Sequence, residues 1–138
     1  MPENQRSDGD WARSMPASEE VIRQLTIKAG IELPSDYIAF LRQSNGGEGE
    51  LGVDPGWFQI WPAEEVVSNN DGYETAEYVP GFFAFGSSGG GEMFAFDLRK
   101  DHRGAVVIIP FIPMKAELAQ VVARNFSEFT SHFGRALK

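Results

Sequence analysis

The chain has 138 residues, of which 42% are hydrophobic, and it carries a formal net charge of −8 at pH 7. This length and composition predict one globular domain that buries its own apolar core. Because the chain has no cysteine and two histidines, disulfides and thiolate nucleophiles are excluded and few ligands remain for a transition metal. No apolar run approaches the ~20 residues that cross a bilayer. We therefore expect no cofactor, no metal and no membrane span.

The start of the chain differs in composition from the rest. Residues 1–16 are polar, rich in charge and glycine, and without periodicity, so we predict a mobile tail in which Trp11 docks locally. The domain is then expected to cover residues 17–138. The tail has neither an apolar segment nor a small-residue cleavage site, unlike a secretory signal, so a cytoplasmic location is expected.

A first helix is predicted from Ser18 to Gly30. Ser18 can cap the helix, and Glu19 and Glu20 suit the positive end of its dipole. Gly30 supplies the left-handed backbone that commonly ends a helix. One apolar stripe runs between these ends at helical spacing, made of Val21, Ile22, Leu25 and Ala29.

A second helix is predicted to follow. Pro34 suits its first turn, and Tyr37 begins an apolar stripe at three- and four-residue spacing. The helix is expected to end at the sequence Asn45, Gly46 and Gly47, because these residues adopt left-handed backbone conformations without strain.

Beyond this point the hydrophobic period changes to two, which is typical of strands rich in aromatic and β-branched residues. Four strands are predicted, at residues 57–61, 82–85, 92–96 and 105–111. A helical turn near residues 62–67 and a flexible polar loop, Ser68 to Thr75, are expected between the first two.

The last segment, Ala116 to Phe133, has helical spacing again, and the pattern leaves open whether it forms one helix or two. The whole order of elements predicts an α+β domain with a mostly antiparallel sheet and helices packed on one face.

The negative charge is concentrated in the middle of the chain. Residues 43–98 contain ten Asp and Glu residues and no Lys, Arg or His. Such a segment disfavours nucleic acid and favours basic proteins as partners, although solubility alone is a sufficient explanation for it. The acids we predict to contact a partner are Glu48, Glu50, Asp54, Glu64, Glu65, Asp71, Glu74 and Glu92.

Three short glycine patterns match catalytic motifs but lack their context. The run 86–91 has the glycine spacing of a phosphate loop, but Glu92 stands where that motif requires lysine. Ser88 satisfies G-x-S-x-G, yet an aromatic strand follows it where a nucleophile elbow needs a helix. The run 47–52 matches G-x-G-x-x-G after a helix, not a strand, and carries two acids.

The remaining polar and aromatic candidates have structural explanations. Asp97 can accept backbone hydrogen bonds in the turn after its strand, where His102 is expected to be solvated. His132 suits the end of a helix, and the adjacent acids Glu64 and Glu65 should face water. The strand aromatics most simply form the core, with one or two exposed among the acids, as at a protein-binding surface.

Three segments in order resemble the SUKH superfamily: "LPSDYIAFLRQSNGG" (33–47), "GSSGGGEMFAFD" (86–97) and "ARNFSEF" (123–129). This superfamily includes a fungal cell-wall synthesis regulator and many bacterial immunity proteins. The resemblance covers about residues 18–133. It implies an α+β domain without an established enzymatic activity and, in bacteria, similarity to antidotes that neutralise toxins, frequently nucleases or deaminases.

The resemblance also implies roles for particular residues. The helix and its stop correspond to Pro34, Tyr37, Asn45, Gly46 and Gly47, and the glycine–acid–strand–acid pattern corresponds to Gly90, Gly91, Glu92 and Asp97. Members usually have aspartate where this chain has Glu92. The glycine loop is therefore expected to turn a corner between antiparallel strands and to expose Glu92 at a sheet edge.

Three functional hypotheses follow from these observations. The first is a bacterial immunity protein whose acidic middle covers a basic surface of a cognate toxin. The second is a regulator or scaffold that binds several partners, since one fold hosts both classes. The third is a small hydrolase built on Ser88 or on the carboxylates, which would need a closed pocket with a base beside Ser88. The oligomeric state is left open.

Overall fold

The computed structural model describes residues 10–137. Within this range, seven strands form one sheet in which each strand pairs antiparallel with its neighbours in sequence. The strands are β1 Ala12–Arg13, β2 Gly47–Glu50, β3 Trp57–Ile60, β4 Phe82–Ser87, β5 Glu92–Asp97, β6 Ala105–Pro110 and β7 Gln120–Ala123. The helices are α1 Glu19–Ala29, α2 Ser35–Leu41, α3 Ala63–Tyr73, α4 Thr75–Tyr78 and α5 Phe126–Thr130, with a 3₁₀ turn at Ala116–Leu118.

The alternation of side chains along the strands divides the core into two clusters. On the first face, Phe85, Phe94 and Phe96 pack against α1, α2, α3 and α5. On the second face, Met93 and Ile109 belong to a smaller cluster, covered by the chain between β6 and β7. This arrangement confirms the predicted α+β class, with a mostly antiparallel sheet and the main helices on one face. Within residues 10–137, no helix is both long enough and apolar enough to cross a membrane.

The predicted start and end of the first helix are confirmed. The Ser18 hydroxyl accepts a hydrogen bond from the backbone N–H of Val21 at 3.1 Å, and Gly30 has a φ of 68°. The second helix is shorter than predicted, because it begins just after Pro34 and ends at Leu41. The following turn is held by the N-terminal segment: the Asn45 N–H donates to the Met15 carbonyl at 2.8 Å.

Residues 68–75 are not the flexible loop that the sequence predicted. Most of this segment belongs to α3, which continues to Tyr73. The physical reason is Asn70, which is buried and fixes α3 to β4. Its side-chain oxygen accepts from the Ala84 N–H, and its side-chain nitrogen donates to the Ala84 carbonyl, both at 2.9 Å. The amide therefore pairs with the strand as a neighbouring backbone would.

The prediction of helix throughout Ala116–Phe133 is wrong in its middle. Residues 120–123 form β7, which pairs antiparallel with β6, and only Phe126–Thr130 is α-helical. The isolated spacing of Val121 and Val122 fits a helix as well as a strand. The open edge of β6 decides the outcome, because its backbone donors and acceptors require partners.

The predicted tail is attached to the domain over part of its length. Residues 1–9 lie outside the described residues. Ala12 and Arg13 pair with β2, and the Trp11 ring packs in an edge-to-face arrangement against the stacked rings of Phe58 and Phe133, with centroids 5.7 and 5.4 Å away. Residues 11–13 are therefore attached to the domain, because the partly buried indole and the paired backbone hold them in place.

Tyr37 is fully buried, and its hydroxyl has no hydrogen-bond partner within residues 10–137. Its ring packs against Phe85, Phe96 and Phe126, and burial raises the pKa of the hydroxyl above its ordinary value. Because an unsatisfied buried hydroxyl carries an uncompensated desolvation penalty, Tyr37→Phe should raise the free energy of unfolding by about 1 kcal/mol. Urea denaturation measures this change. Tyr37→Leu is the control that removes the ring, and a less stable Tyr37→Phe protein would contradict the assignment.

Candidate functional site

The eight carboxylates predicted to contact a partner lie in four pairs on the surface of the structure. The pairs are Glu48 with Glu50 on β2, Asp54 with Glu92 at a hollow near β7, Glu64 with Glu65 in the first turn of α3, and Asp71 with Glu74 at the end of that helix. Glu92 is half-buried and the other seven are exposed. The structure thus brings together members that are distant in sequence, such as Asp54 and Glu92, but does not gather all eight at one point.

Glu48 and Glu50 lie on the same face of β2, because they are two residues apart on a strand. Glu48 is opposite Gln59 on β3, and the Gln59 side-chain amide donates to Glu48 Oε1 at 3.2 Å. Glu50 is opposite Trp57, whose side chain is 39% exposed. An exposed indole beside two carboxylates offers both an apolar contact and a cation-binding surface.

Asp54 and Glu92 line a hollow of about 380 Å³ at the end of the sheet. Asp54 lies in the turn between β2 and β3, and Glu92 is the first residue of β5. The walls come from Ile108 on β6 and from the β7 residues. Glu92 Oε1 accepts a hydrogen bond from the Ser88 hydroxyl at 3.2 Å.

Asn45 links the first turn of α3 to the turn that precedes β2. Its side-chain oxygen accepts from the Ala63 N–H at 2.7 Å, and its side-chain nitrogen donates to Glu64 Oε1 at 2.8 Å. Asn45 therefore caps α3 from a distance, a role that the sequence did not reveal. The left-handed backbone predicted here belongs to Gly46 and Gly47, with φ of 94° and 142°.

Asp71 and Glu74 line a second hollow, of about 640 Å³, between α1 and the α3–α4 corner. Glu77 and Lys28 line it as well. Three acids thus face one cation, so this region keeps an excess of negative charge.

The eight carboxylates carry charge that the fold does not neutralise. Within residues 10–137, none of them forms an ion pair with a lysine, arginine or histidine. The arginine ion pairs join other acids, and they are Arg23 with Glu20, Arg42 with Glu19, Arg99 with Asp97 and Arg124 with Glu128. Glu48, Glu64 and Glu92 accept hydrogen bonds from neutral groups instead. Unpaired surface charge of one sign attracts ligands of the opposite sign.

Asp97 has the structural role that its position at a strand end predicted. Its buried carboxylate accepts from the Arg99 backbone N–H at 3.2 Å and forms an ion pair with the Arg99 side chain at 2.8 Å. Nδ1 of the exposed His102 ring lies 3.4 Å from the same carboxylate. Burial acts to raise the pKa of Asp97, but the hydrogen bonds and positive charge of Arg99, with a smaller contribution from His102, lower it below its ordinary value.

The glycine-rich segment turns the chain between β4 and β5. Gly86 approaches the Gln59 carbonyl so closely that any side chain would overlap it, and Gly89 has a φ of 80°. Gly90 and Gly91 are exposed on the turn. Ser88 lies on this open turn, where its hydroxyl also accepts from the Gly90 N–H at 3.2 Å. The segment therefore turns the corner between antiparallel strands as expected, but Glu92 is half-buried on the inner strand β5 and is not exposed at a sheet edge. Ser88 is not placed as a nucleophile elbow would place it.

Besides the Asn45 cap, two further features of the site were not recognised in the sequence. One is the amide of Gln59, which lies between Glu48 and the Ser87 hydroxyl, the latter donating to Gln59 Oε1 at 3.1 Å. The other is β7 as the wall of the Asp54–Glu92 hollow. The β-branched pair Val121–Val122 is the signal that could have indicated a strand.

A comparison with protein families decides the identity of the fold. The model of the SMI1 / KNR4 family (SUKH-1) matches residues 16–132. The chain belongs to this family. A search of curated proteins finds no match to the chain.

Membership of the SMI1 / KNR4 family agrees with the resemblance seen in the sequence. The matched range begins close to the N-cap of α1 and ends just after α5. The motif residues Pro34, Tyr37 and Asp97 lie at the start of α2, in the main core and at the end of β5. These residues build the fold, and the central carboxylates are displayed on it.

Proposed function

We propose that the protein is a non-enzymatic binding domain, specifically a bacterial immunity protein that neutralises a cognate toxin of the nuclease or deaminase type in the cytoplasm. The proposal combines family membership, which is consistent with immunity and regulatory proteins alike, with the charge arrangement of the site. The partner is a basic protein, since nucleases and deaminases that act on nucleic acid carry cationic surfaces.

The observation that carries the proposal is the set of eight surface carboxylates without an ion-pair partner in residues 10–137. Such charges raise the rate of association with a cationic protein by ~10–10³-fold through electrostatic steering. Charges already paired within the fold would contribute far less to the rate of association.

Trp57 supplies the second requirement of a stable complex. Steering accelerates encounter, but slow release needs side chains that lose water on binding. The half-exposed indole beside Glu50 is suited to this role, because aromatic side chains bury a large area at low entropic cost. The β2–β3 face is therefore the expected centre of contact.

The hydrolase hypothesis receives no support from the geometry. Ser88 lies on an open turn beside exposed glycines, and its neighbouring carboxylate, Glu92, faces the hollow near β7. A serine hydrolase needs its nucleophile and base together in a closed pocket.

A specific observation favours the regulator as the second candidate. The carboxylates lie in four pairs, and separate pairs can serve separate partners. Tagged protein captured from the source organism distinguishes the two functions. One stoichiometric partner that is toxic on expression, and is neutralised by co-expression of this chain, supports the immunity protein. Several non-toxic partners support the regulator.

Reversing charge on β2 should slow association with the captured partner. In Glu48→Lys with Glu50→Lys, repulsion replaces attraction, and we expect the association rate constant to fall about tenfold or more at low salt. Stopped-flow tryptophan fluorescence measures it. The matched control is Glu32→Lys with Asp101→Lys, which changes the net charge equally at exposed positions outside residues 43–98 and should alter the rate less than about twofold. Equal effects of the two variants would refute a role for the β2 pair.

A further inference from the structure

The last strand of the sheet has an unpaired edge. β7 pairs with β6 on one side, and no other strand formed by residues 10–137 lies on its other side. The strand reads Gln-Val-Val-Ala, without the charge or proline that commonly protects an edge, and Val121 is 66% exposed. Its outer backbone donors and acceptors can therefore pair with another extended chain.

The hollow of Asp54 and Glu92 opens beside this edge. Gln120, Val121 and Val122 of β7 line it, and Val53, Pro55 and Ile108 complete its walls. No lysine, arginine or histidine of the described chain lines it. The hollow thus combines apolar side chains with the amide of Gln120 and the two carboxylates.

This combination matches the shape of an arginine side chain. The aliphatic stem can pack against valine and isoleucine while the guanidinium pairs with carboxylates. The Ser88 hydroxyl already donates a hydrogen bond to Glu92 Oε1. Oε2 of Glu92 receives no hydrogen bond from residues 10–137. The side chain must also be long and extended, because a chain paired with the outer edge of β7 lies three strand spacings, about 14 Å, from Glu92 on β5.

We propose that β7 receives an extended segment of the partner as an eighth strand, and that this segment places one arginine in the hollow between Asp54 and Glu92. Backbone pairing would supply affinity, and the hollow would supply specificity for a cationic side chain. The inference rests on the proposed function, since it names the part of a basic partner that is bound and where it is bound. The neutral edge strand can pair with the backbone of an extended segment, and the carboxylates of Asp54 and Glu92 complement the charge of its arginine.

A peptide pair tests the proposal without knowledge of the partner. The probe is a seven-residue peptide of alternating threonine and valine with a central arginine, and its control carries citrulline, which has the same shape without the charge. Backbone amide shifts of the ¹⁵N-labelled protein are followed by NMR. We expect the arginine peptide to shift the amides of Gln120–Ala123 and to bind about fivefold or more tightly than the citrulline peptide.

Two matched variants locate the effect. Asp54→Asn with Glu92→Gln keeps the shape of both side chains, and should reduce binding of the arginine peptide to the level of the citrulline peptide. Glu32→Gln with Asp101→Asn removes the same charge from exposed positions outside residues 43–98 and should change the dissociation constant less than about twofold. The dispersed amide spectrum of each variant verifies its fold.

Several results would overturn the proposal. They are equal binding of the two peptides, shifts that avoid β7, or no shift at peptide concentrations on the order of 10 mM. Concentration-dependent shifts at β7 in the protein alone would identify a second copy as the occupant. Failure of toxin rescue with intact peptide binding would refute the proposed function and leave the β7 site standing. Rescue that persists in Asp54→Asn with Glu92→Gln, without peptide binding, would support the proposed function and refute the β7 site.

Discussion

Replacing Asn70 with alanine should lower the free energy of unfolding by about 2–4 kcal/mol. The buried amide contacts four groups at once: the carbonyls of Val66 and Ala84, the Ala84 N–H and the Thr75 hydroxyl. Alanine removes all of these bonds and leaves the buried backbone groups of Ala84 without partners. The penalty is large because the neighbouring strand and helix exclude water that could replace the amide.

Urea denaturation of two further variants controls this prediction. Ser68→Ala, on the same helix, removes an exposed hydrogen bond to the Glu65 carbonyl and should change stability by less than about 0.5 kcal/mol. Asn70→Asp keeps an acceptor for the Ala84 N–H but loses both donated bonds and places a charge in the core, so it should not restore stability. An Asn70→Ala protein as stable as Ser68→Ala would show that the amide does not hold α3 to β4.

Replacing Asp97 with asparagine should lower the free energy of unfolding by about 1–3 kcal/mol near neutral pH. The side chain of Asp97 is 3% exposed and carries the ion pair with Arg99, whose guanidinium also lies 4.6 Å from the centre of the Phe82 ring. Asparagine keeps the size of the side chain and loses its charge. Asp101→Asn removes an exposed carboxylate from the same turn and should have little effect.

The loss caused by Asp97→Asn should depend on pH. The pKa of Asp97 is lower in the folded protein than its ordinary value, so the carboxylate stabilises the fold above the unfolded pKa of about 3.9. That contribution disappears as the pH falls through the folded pKa. The stabilities of the wild type and Asp97→Asn, measured from pH 7 down to pH 3, should therefore begin to converge below about pH 4. A constant difference over this range would contradict the ion pair.

The predictable part of the fold is the part set by local pattern. The alternation in β4, β5 and β6 fixes both the strands and the face on which each phenylalanine lies, and the Ser18 cap and Gly30 define α1. These features depend on neighbours within a few residues, which the sequence displays directly.

The elements that the sequence missed depend on distant partners. The second half of α3 is held by a bond between Asn70 and Ala84, 14 residues apart in the chain. The valines of β7 fit a helix as well as a strand until they pair with the open edge of β6. β1 forms because Ala12 and Arg13 pair with the distant strand β2. Tertiary contacts override local preference in each case.

The candidate site, like the fold, could be predicted from the sequence only in part. The sequence identifies which acids lack nearby bases, because residues 43–98 contain none. It does not reveal that Asp54 and Glu92 share a hollow or that Glu50 faces Trp57, because strand register and the β2–β3 turn decide both. The exposed edge of β7 could not be predicted, because the sequence pattern did not identify β7 as a strand.

The central claim is that unpaired carboxylates attract a cationic protein, and the salt dependence of association measures it most directly. The association rate constant of the wild type with its captured partner would be followed from about 50 to 300 mM salt, over which screening shortens the reach of surface charge. We predict a steep fall with salt for the wild type and a shallower one for Glu48→Lys with Glu50→Lys. A wild-type rate constant that stays the same across this range would contradict the claim.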